Sequence, residues 1–80
     1  MGRAGKALKQ VLESHNISQS QLAIKMGIGR ANVHRWANEI RDPSAQTMLE
    51  IRDALKKIAP DAADKLIWLY LNDGAKDEDG

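Results

Sequence analysis

The chain has no cysteine and no phenylalanine among its 80 residues, and only two tryptophans and one tyrosine supply aromatic rings. The absence of cysteine excludes a disulfide framework and a thiolate metal site, and it is compatible with the reducing cytoplasm, where we expect the protein to act. The longest strongly apolar run, LIWLYL at residues 66–71, is too short to span a bilayer, and the basic start lacks the apolar core of a signal peptide. A chain of this length allows one small core but not a dinucleotide-binding fold, so we expect a single soluble domain.

Charge is unevenly distributed along the chain, although the formal net charge is only +1. Residues 1–60 contain ten basic and five acidic side chains, giving +5, whereas residues 61–80 contain two basic and six acidic ones, giving −4. This asymmetry favours a basic surface that meets a polyanion and an acidic end that faces away from it. A solvated surface with an acidic solubilising tail explains the same charges, so the motifs must decide.

Apolar residues recur at helical spacing in five segments. The predicted helices cover about residues 4–15, 18–26 and 30–38, a stretch that begins at residue 44, and residues 60–72. Ser18 and Gln21 form a capping box at the second helix, and no strand or internal repeat is predicted. The sequence therefore predicts a compact all-α domain of five helices over residues 1–73, followed by a disordered acidic tail over residues 74–80.

Two glycines in the stretch GIGRANVHRW, residues 27–36, allow two interpretations. GIGRAN looks like a truncated G-x-G-x-x-G phosphate loop, and the apolar residues before it alternate as they would in a strand. The other interpretation is a bend between two helices. Because the capping box at Ser18 predicts a helix before the glycines, the bend is favoured and a nucleotide site is not expected.

The residues around these glycines have the spacing of a helix-turn-helix. Ala23 is small where two helices cross closely, Gly27 can adopt the positive φ of the turn, and Val33 is apolar on the second helix. The packing residues around them are Leu22, Met26, Ile28 and Trp36. The sequence thus predicts a helix-turn-helix over about residues 18–38, formed by helices 2 and 3.

The stretches ISQSQLAIKMGIGRANVHRW and PSAQTMLEI resemble the phage repressor and Cro family, also called the xenobiotic-response-element family of bacterial and phage regulators. The resemblance implies a transcriptional regulator, repressor-like, that lays its third helix in the major groove of double-stranded DNA. It also implies a homodimer on a near-palindromic operator. The chain departs from the family after Trp36, where Ala37 and Glu39 replace the usual Glu and Gly. We therefore expect Asn38 to supply the unusual turn conformation there.

The resemblance implies that four positions of the third helix face base edges. They are Arg30, Ala31, Asn32 and Arg35. Arginine can donate two hydrogen bonds to guanine, alanine can contact a thymine methyl group, and asparagine can pair with adenine. A solvated helix face is the alternative interpretation of the two arginines.

Four further positions match residues that bind phosphate in the family. They are Ser18, Gln19, Asn38 and Arg41. Backbone N–H groups at the start of the second helix would strengthen the contact made by Ser18 and Gln19. The resemblance also implies that Gln19 braces the side chain of Arg30. Gln19 could instead be a plain helix former.

The apolar run of the fifth helix predicts a dimer interface. We expect Leu66, Ile67 and Tyr70 to face the domain, which leaves Trp68 and Leu71 for a second copy. The alternative is that helix five folds over its own domain and hides Trp68.

The alternative function is a protein-interaction module of the same fold, such as an antitoxin or adaptor that binds a protein partner. Trp68 supports it, whereas the arginines of helix three favour DNA. No base and orienting acid stand near Ser14 or Ser18, and no second ligand stands at helical spacing from His34. We therefore expect no catalysis, no metal and no cofactor.

Overall fold

The computed structural model describes the backbone of residues 3–79 and the side chains of residues 3–72. This part of the chain contains five helices and no strand: α1 (Arg3–Ser14), α2 (Gln19–Met26), α3 (Arg30–Ala37), α4 (Ala45–Ile58) and α5 (Pro60–Asp79). The predicted all-α fold is therefore confirmed, and the apolar residues before Gly27 lie in a helix. Within the described residues, no helix is long and apolar enough to cross a membrane.

One apolar core joins all five helices. α5 packs on α4 and α1, while α2 packs on α4 and α3, and α1 also contacts α3. The completely buried large side chains are Leu8, Val11, Leu22, Val33, Ile51, Leu55 and Leu66. Each such side chain contributes roughly 1.5–3 kcal/mol when it leaves water. Helix α3 is thus held against a core to which every other helix contributes.

The boundary between the domain and the predicted tail is not tested. α5 continues from Pro60 to Asp79, and the predicted disordered tail, residues 74–80, falls outside the residues whose side chains are described. The division after residue 73 stays a prediction.

The start of α2 and the turn after it adopt the predicted conformations. Ser18 Oγ accepts a hydrogen bond from the Gln21 N–H at 3.0 Å, and Gln21 Oε1 accepts one from the Ser18 N–H at 2.8 Å. Gly27 has a φ of 73°, and the Ile28 N–H donates back to the carbonyl of Ala23 at 3.0 Å. These bonds satisfy backbone groups that a helix end leaves without partners, and they set the angle between α2 and α3.

Replacing Gly27 by valine should lower the melting temperature, because a β-branched residue is strained at a φ of 73°. A Cβ at Gly27 would meet no atom within 4 Å, so the loss comes from backbone strain and not from a clash. We expect a loss of at least about 1–2 kcal/mol, measured by thermal and urea unfolding. Gly29→Ala is the matched control, since Gly29 has a φ of −75° and its nearest neighbour would lie 3.8 Å away. Equal melting of Gly27→Val and the parent protein would show that the turn lies elsewhere.

The loop after α3 corrects one sequence prediction. Asn38 has a φ of −98°, and Glu39, with a φ of 60°, carries the positive φ that we expected of Asn38. Hydrogen bonds at the end of α3 determine the course of the backbone here. The Ile40 N–H donates to the Arg35 carbonyl at 2.9 Å, and the Glu39 N–H donates to the Trp36 carbonyl at 3.1 Å. Local preference for asparagine is overridden, and glutamate bears a strain of about 1–2 kcal/mol.

Candidate nucleic-acid interface

α3 has one face in the core and one face in solvent. Val33, Trp36 and Ala37 are buried. Of the four residues predicted to meet bases, Arg30, Ala31 and Arg35 are exposed and Asn32 is half-buried. The structure therefore leaves Arg30, Ala31 and Arg35 accessible on the solvent-facing side of α3.

The two arginines of this face are not engaged elsewhere. Among the described residues, no ion pair or hydrogen bond occupies the side chains of Arg30 and Arg35. Asn32 differs, because its Nδ2 donates to the Gly29 carbonyl at 3.3 Å. An arginine whose five N–H donors all face water can exchange them for base or phosphate acceptors without breaking an internal bond.

A cleft of about 260 Å³ lies where the start of α2 meets α1 and the end of α3. Its walls include three of the four residues predicted to bind phosphate, namely Ser18, Gln19 and Asn38. Arg41 is not among the lining residues; it lies exposed in the loop after α3.

Lys9 of α1 lines the same cleft, together with Glu13. Lys9 cannot be recognised from the sequence, because no local motif marks a residue of α1 as a neighbour of the start of α2. Lys9 adds a cation to the wall of this cleft, and the N–H groups at the start of α2 carry a partial positive charge. Glu13 limits that positive potential from the same wall.

The side chains at the start of α2 differ in what they can offer a ligand. Ser18 Oγ accepts the capping bond from Gln21, so its own hydrogen can be donated outward. Gln19 Oε1 is buried and accepts no hydrogen bond. The expected bracing of Arg30 by Gln19 is therefore absent here, since a guanidinium could brace that amide only by donating to Oε1.

Asn38 is engaged with the preceding turn of α3. Its amide nitrogen donates to the His34 carbonyl oxygen at 2.8 Å and lies 3.1 Å from His34 Nδ1. The predicted phosphate contact of Asn38 would therefore compete with bonds that it already makes.

α5 presents an apolar strip to solvent. Leu66 is buried and Ile67 and Tyr70 are half-buried, whereas Trp68 is 53% exposed and Leu71 is 66% exposed. The alternative in which α5 hides Trp68 against its own domain is therefore wrong. Leu69, which the sequence analysis did not assign, is buried as well.

A shallow groove runs between α4 and this strip. Its lining includes Ile67, Trp68 and Leu71 of α5 together with Arg52 and Lys56 of α4. Arg52 already forms an ion pair with Asp53 at 2.8 Å.

Within the described residues, no group of three or more histidines and acids is arranged to hold a metal ion.

Comparison with known protein families identifies a match. A family model described as helix-turn-helix matches residues 8–61, about two thirds of the chain. The matched region begins in α1 and ends at the start of α5, so it contains the turn, the cleft and the exposed face of α3. No curated protein and no solved structure matches the chain.

Proposed function

Since the chain belongs to the helix-turn-helix family, which is a family of DNA-binding proteins and not of enzymes, we propose that it is a sequence-specific, repressor-like regulator of transcription. In this proposal α3 lies in the major groove of double-stranded DNA, which is wide enough to admit a helix. The observation that carries it is the exposed face of α3 with two arginines that no other side chain engages. Such a regulator would act in the cytoplasm.

Base reading is assigned to Arg30, Ala31, Asn32 and Arg35. Each arginine can donate two hydrogen bonds to guanine O6 and N7, a contact of about 1–3 kcal/mol against a wrong base. Ala31 would contact a thymine methyl group. Asn32 would have to exchange its 3.3 Å bond to the Gly29 carbonyl for an adenine edge.

Phosphate binding is assigned to Ser18, Gln19 and Arg41, and to Asn38 on condition that DNA displaces one of the bonds that Asn38 makes to His34. Support comes from the cleft at the start of α2, which gathers three of these residues with Lys9. Phosphate contacts hold the protein in register on the duplex but carry no sequence information. Because Lys9 lines the same cleft, we treat it as a further member of the phosphate-binding set.

The proposed assembly is a homodimer on a near-palindromic operator. The exposed Trp68 and Leu71 support it, because a contiguous apolar pair on a small domain is typical of a contact surface. A two-fold dimer would place two copies of α3 in successive major grooves, roughly 34 Å apart.

The test of this function is selection of bound duplexes from a random library at two salt concentrations. We expect an enriched, two-fold symmetric site, together with binding that weakens as salt increases because phosphate contacts release counterions. Recovery of unenriched sequences only would contradict sequence-specific reading.

Arg30→Ala and Arg35→Ala should each weaken binding to the selected site by about 1–3 kcal/mol and relax the preference at one or two base pairs. The measurement is fluorescence anisotropy on the selected site and on single-base variants of it. Gln19→Ala and Arg41→Ala are the matched controls. They should weaken binding to all duplexes alike, because phosphates are present in every sequence. Unchanged affinity and preference in both arginine variants would remove α3 from the base-reading role.

A second candidate function is a protein-interaction module, favoured by the exposed Trp68 and Leu71. The DNA selection separates the two functions, since a module that binds only protein gives no enriched duplex.

A further inference from the structure

His34 lies within the proposed reading face and not beside it. Successive residues of an α-helix are rotated by about 100° around its axis. The side chain of His34 therefore projects about 40° from that of Arg30 and about 60° from that of Ala31, and it lies about one turn further along α3. It is exposed, as are Arg30, Ala31 and Arg35. Any duplex that meets Arg30, Ala31 and Arg35 together must therefore approach the imidazole ring.

The hydrogen bonds of Asn38 fix how this ring is presented. The amide atom that lies 2.8 Å from the His34 carbonyl oxygen must be the nitrogen, because a carbonyl oxygen can only accept. The second hydrogen of the same nitrogen is then available to His34 Nδ1, 3.1 Å away. Nδ1 of the neutral ring accepts this hydrogen, so the proton of the ring resides on Nε2.

We propose that His34 is a fifth base-contacting residue of α3 and that Asn38 is the residue that positions it. The inference rests on the proposed function. With Nδ1 bound to Asn38, the Nε2–H of the neutral ring is left as a donor for an acceptor on a base edge in the major groove. Guanine presents two such acceptors, O6 and N7, and is the preferred base.

This assignment gives Asn38 a role that differs from its predicted phosphate contact. A phosphate oxygen can only accept, and the amide nitrogen of Asn38 is the sole donor of that side chain. Since both of its hydrogens are directed at His34, a phosphate could be bound only by giving up one of these bonds.

The first experiment compares His34→Ala and His34→Gln with the parent protein on the selected operator and on all its single-base variants. His34→Ala should weaken binding by roughly 3- to 10-fold, the effect of one hydrogen bond, and flatten the preference at one base pair. His34→Gln should retain most of the affinity and most of the base preference, because the glutamine amide nitrogen can donate from a similar distance. An unchanged base preference at every position in His34→Ala overturns the proposal.

The second experiment is a double-mutant cycle with Asn38→Ala, with the melting temperature of each variant measured alongside. If Asn38 acts through the imidazole, Asn38→Ala weakens binding in the parent but has no further effect in the His34→Ala background. Additive losses would show that Asn38 contacts DNA independently and would overturn its positioning role.

The proposed DNA reading and the role of His34 can fail separately. If the parent enriches no site at all, the proposed function fails and the inference fails with it. If Arg30→Ala changes base preference while His34→Ala changes none, the proposed function stands and the inference alone is overturned.

Discussion

Gly5→Ala should destabilise the domain by about 1–3 kcal/mol, although alanine is the better helix former. For a domain of this size, such a loss lowers the melting temperature by roughly 5–20 °C. Helix propensity alone predicts the opposite sign, a gain of about 0.5–1 kcal/mol, since Gly5 lies within α1. The sign of the measured change therefore decides between local preference and packing.

We expect the steric cost of the added methyl group to exceed the gain in helix propensity, because the space beside Gly5 is occupied by backbone. A Cβ at this position would overlap the carbonyl oxygen of Trp36 and would lie 3.0 Å from Cγ of Glu39. The Trp36 carbonyl cannot swing away freely, since it accepts a hydrogen bond from the Glu39 N–H at 3.1 Å. To reach ordinary contact distance, α1 and the end of α3 must move apart by about 1 Å, which core packing resists.

The experiment is urea and thermal unfolding of Gly5→Ala, with Gly29→Ala as control. Gly29, the N-cap of α3, has an ordinary φ, and a Cβ there would lie 3.8 Å from Asn32 Nδ2, so its substitution adds a methyl group without a backbone clash. A higher melting temperature for Gly5→Ala would contradict the close approach of α1 and α3.

Gly5 also illustrates which structural features cannot be predicted from the sequence. Features that depend on a few neighbouring residues were predicted correctly: the capping box at Ser18 and Gln21, and the positive φ of Gly27. The family resemblance, carried by the same stretch, is confirmed by the family match over residues 8–61. The role of Gly5 cannot be predicted from the sequence, because its neighbour Trp36 is 31 residues away and only the packed fold brings them together.

The same limit applies to the candidate site. The family resemblance assigns Arg30 and Arg35 to the exposed face of α3, and both are exposed, while their contact with bases stays a prediction. Lys9 could not be assigned, because it belongs to the cleft only through the packing of α1 near the start of α2. Glu39 was missed for another reason: residue preference pointed to Asn38, whereas the hydrogen bonds at the end of α3 select the following residue.

The run at residues 66–71 has six apolar side chains in succession, so its pattern does not define one buried face. The sequence separated Trp68 and Leu71 from the core, as observed, but did not assign Leu69 to it. The exposed pair leads to the prediction with the largest expected effect on assembly.

The double variant Trp68→Glu, Leu71→Glu should convert the proposed homodimer into a monomer. Trp68 is 53% exposed and Leu71 is 66% exposed in the isolated chain, so pairing through α5 removes a large part of both side chains from water. Four such side chains, two from each copy, supply on the order of 4 kcal/mol at the usual value per buried apolar area. Because the entropy lost on association is the same for parent and variant, the variant should dimerise at least about a thousandfold more weakly.

Sedimentation over a range of concentrations without DNA measures this change. The matched control is Ile24→Glu, Ile40→Glu, which also replaces two exposed apolar side chains, 76% and 67% exposed, by glutamates but lies on α2 and in the loop after α3. The control should dimerise as the parent does. A parent that stays monomeric at high micromolar concentration would refute the dimer itself, and an equal loss in both double variants would show that added charge, and not the α5 surface, governs association.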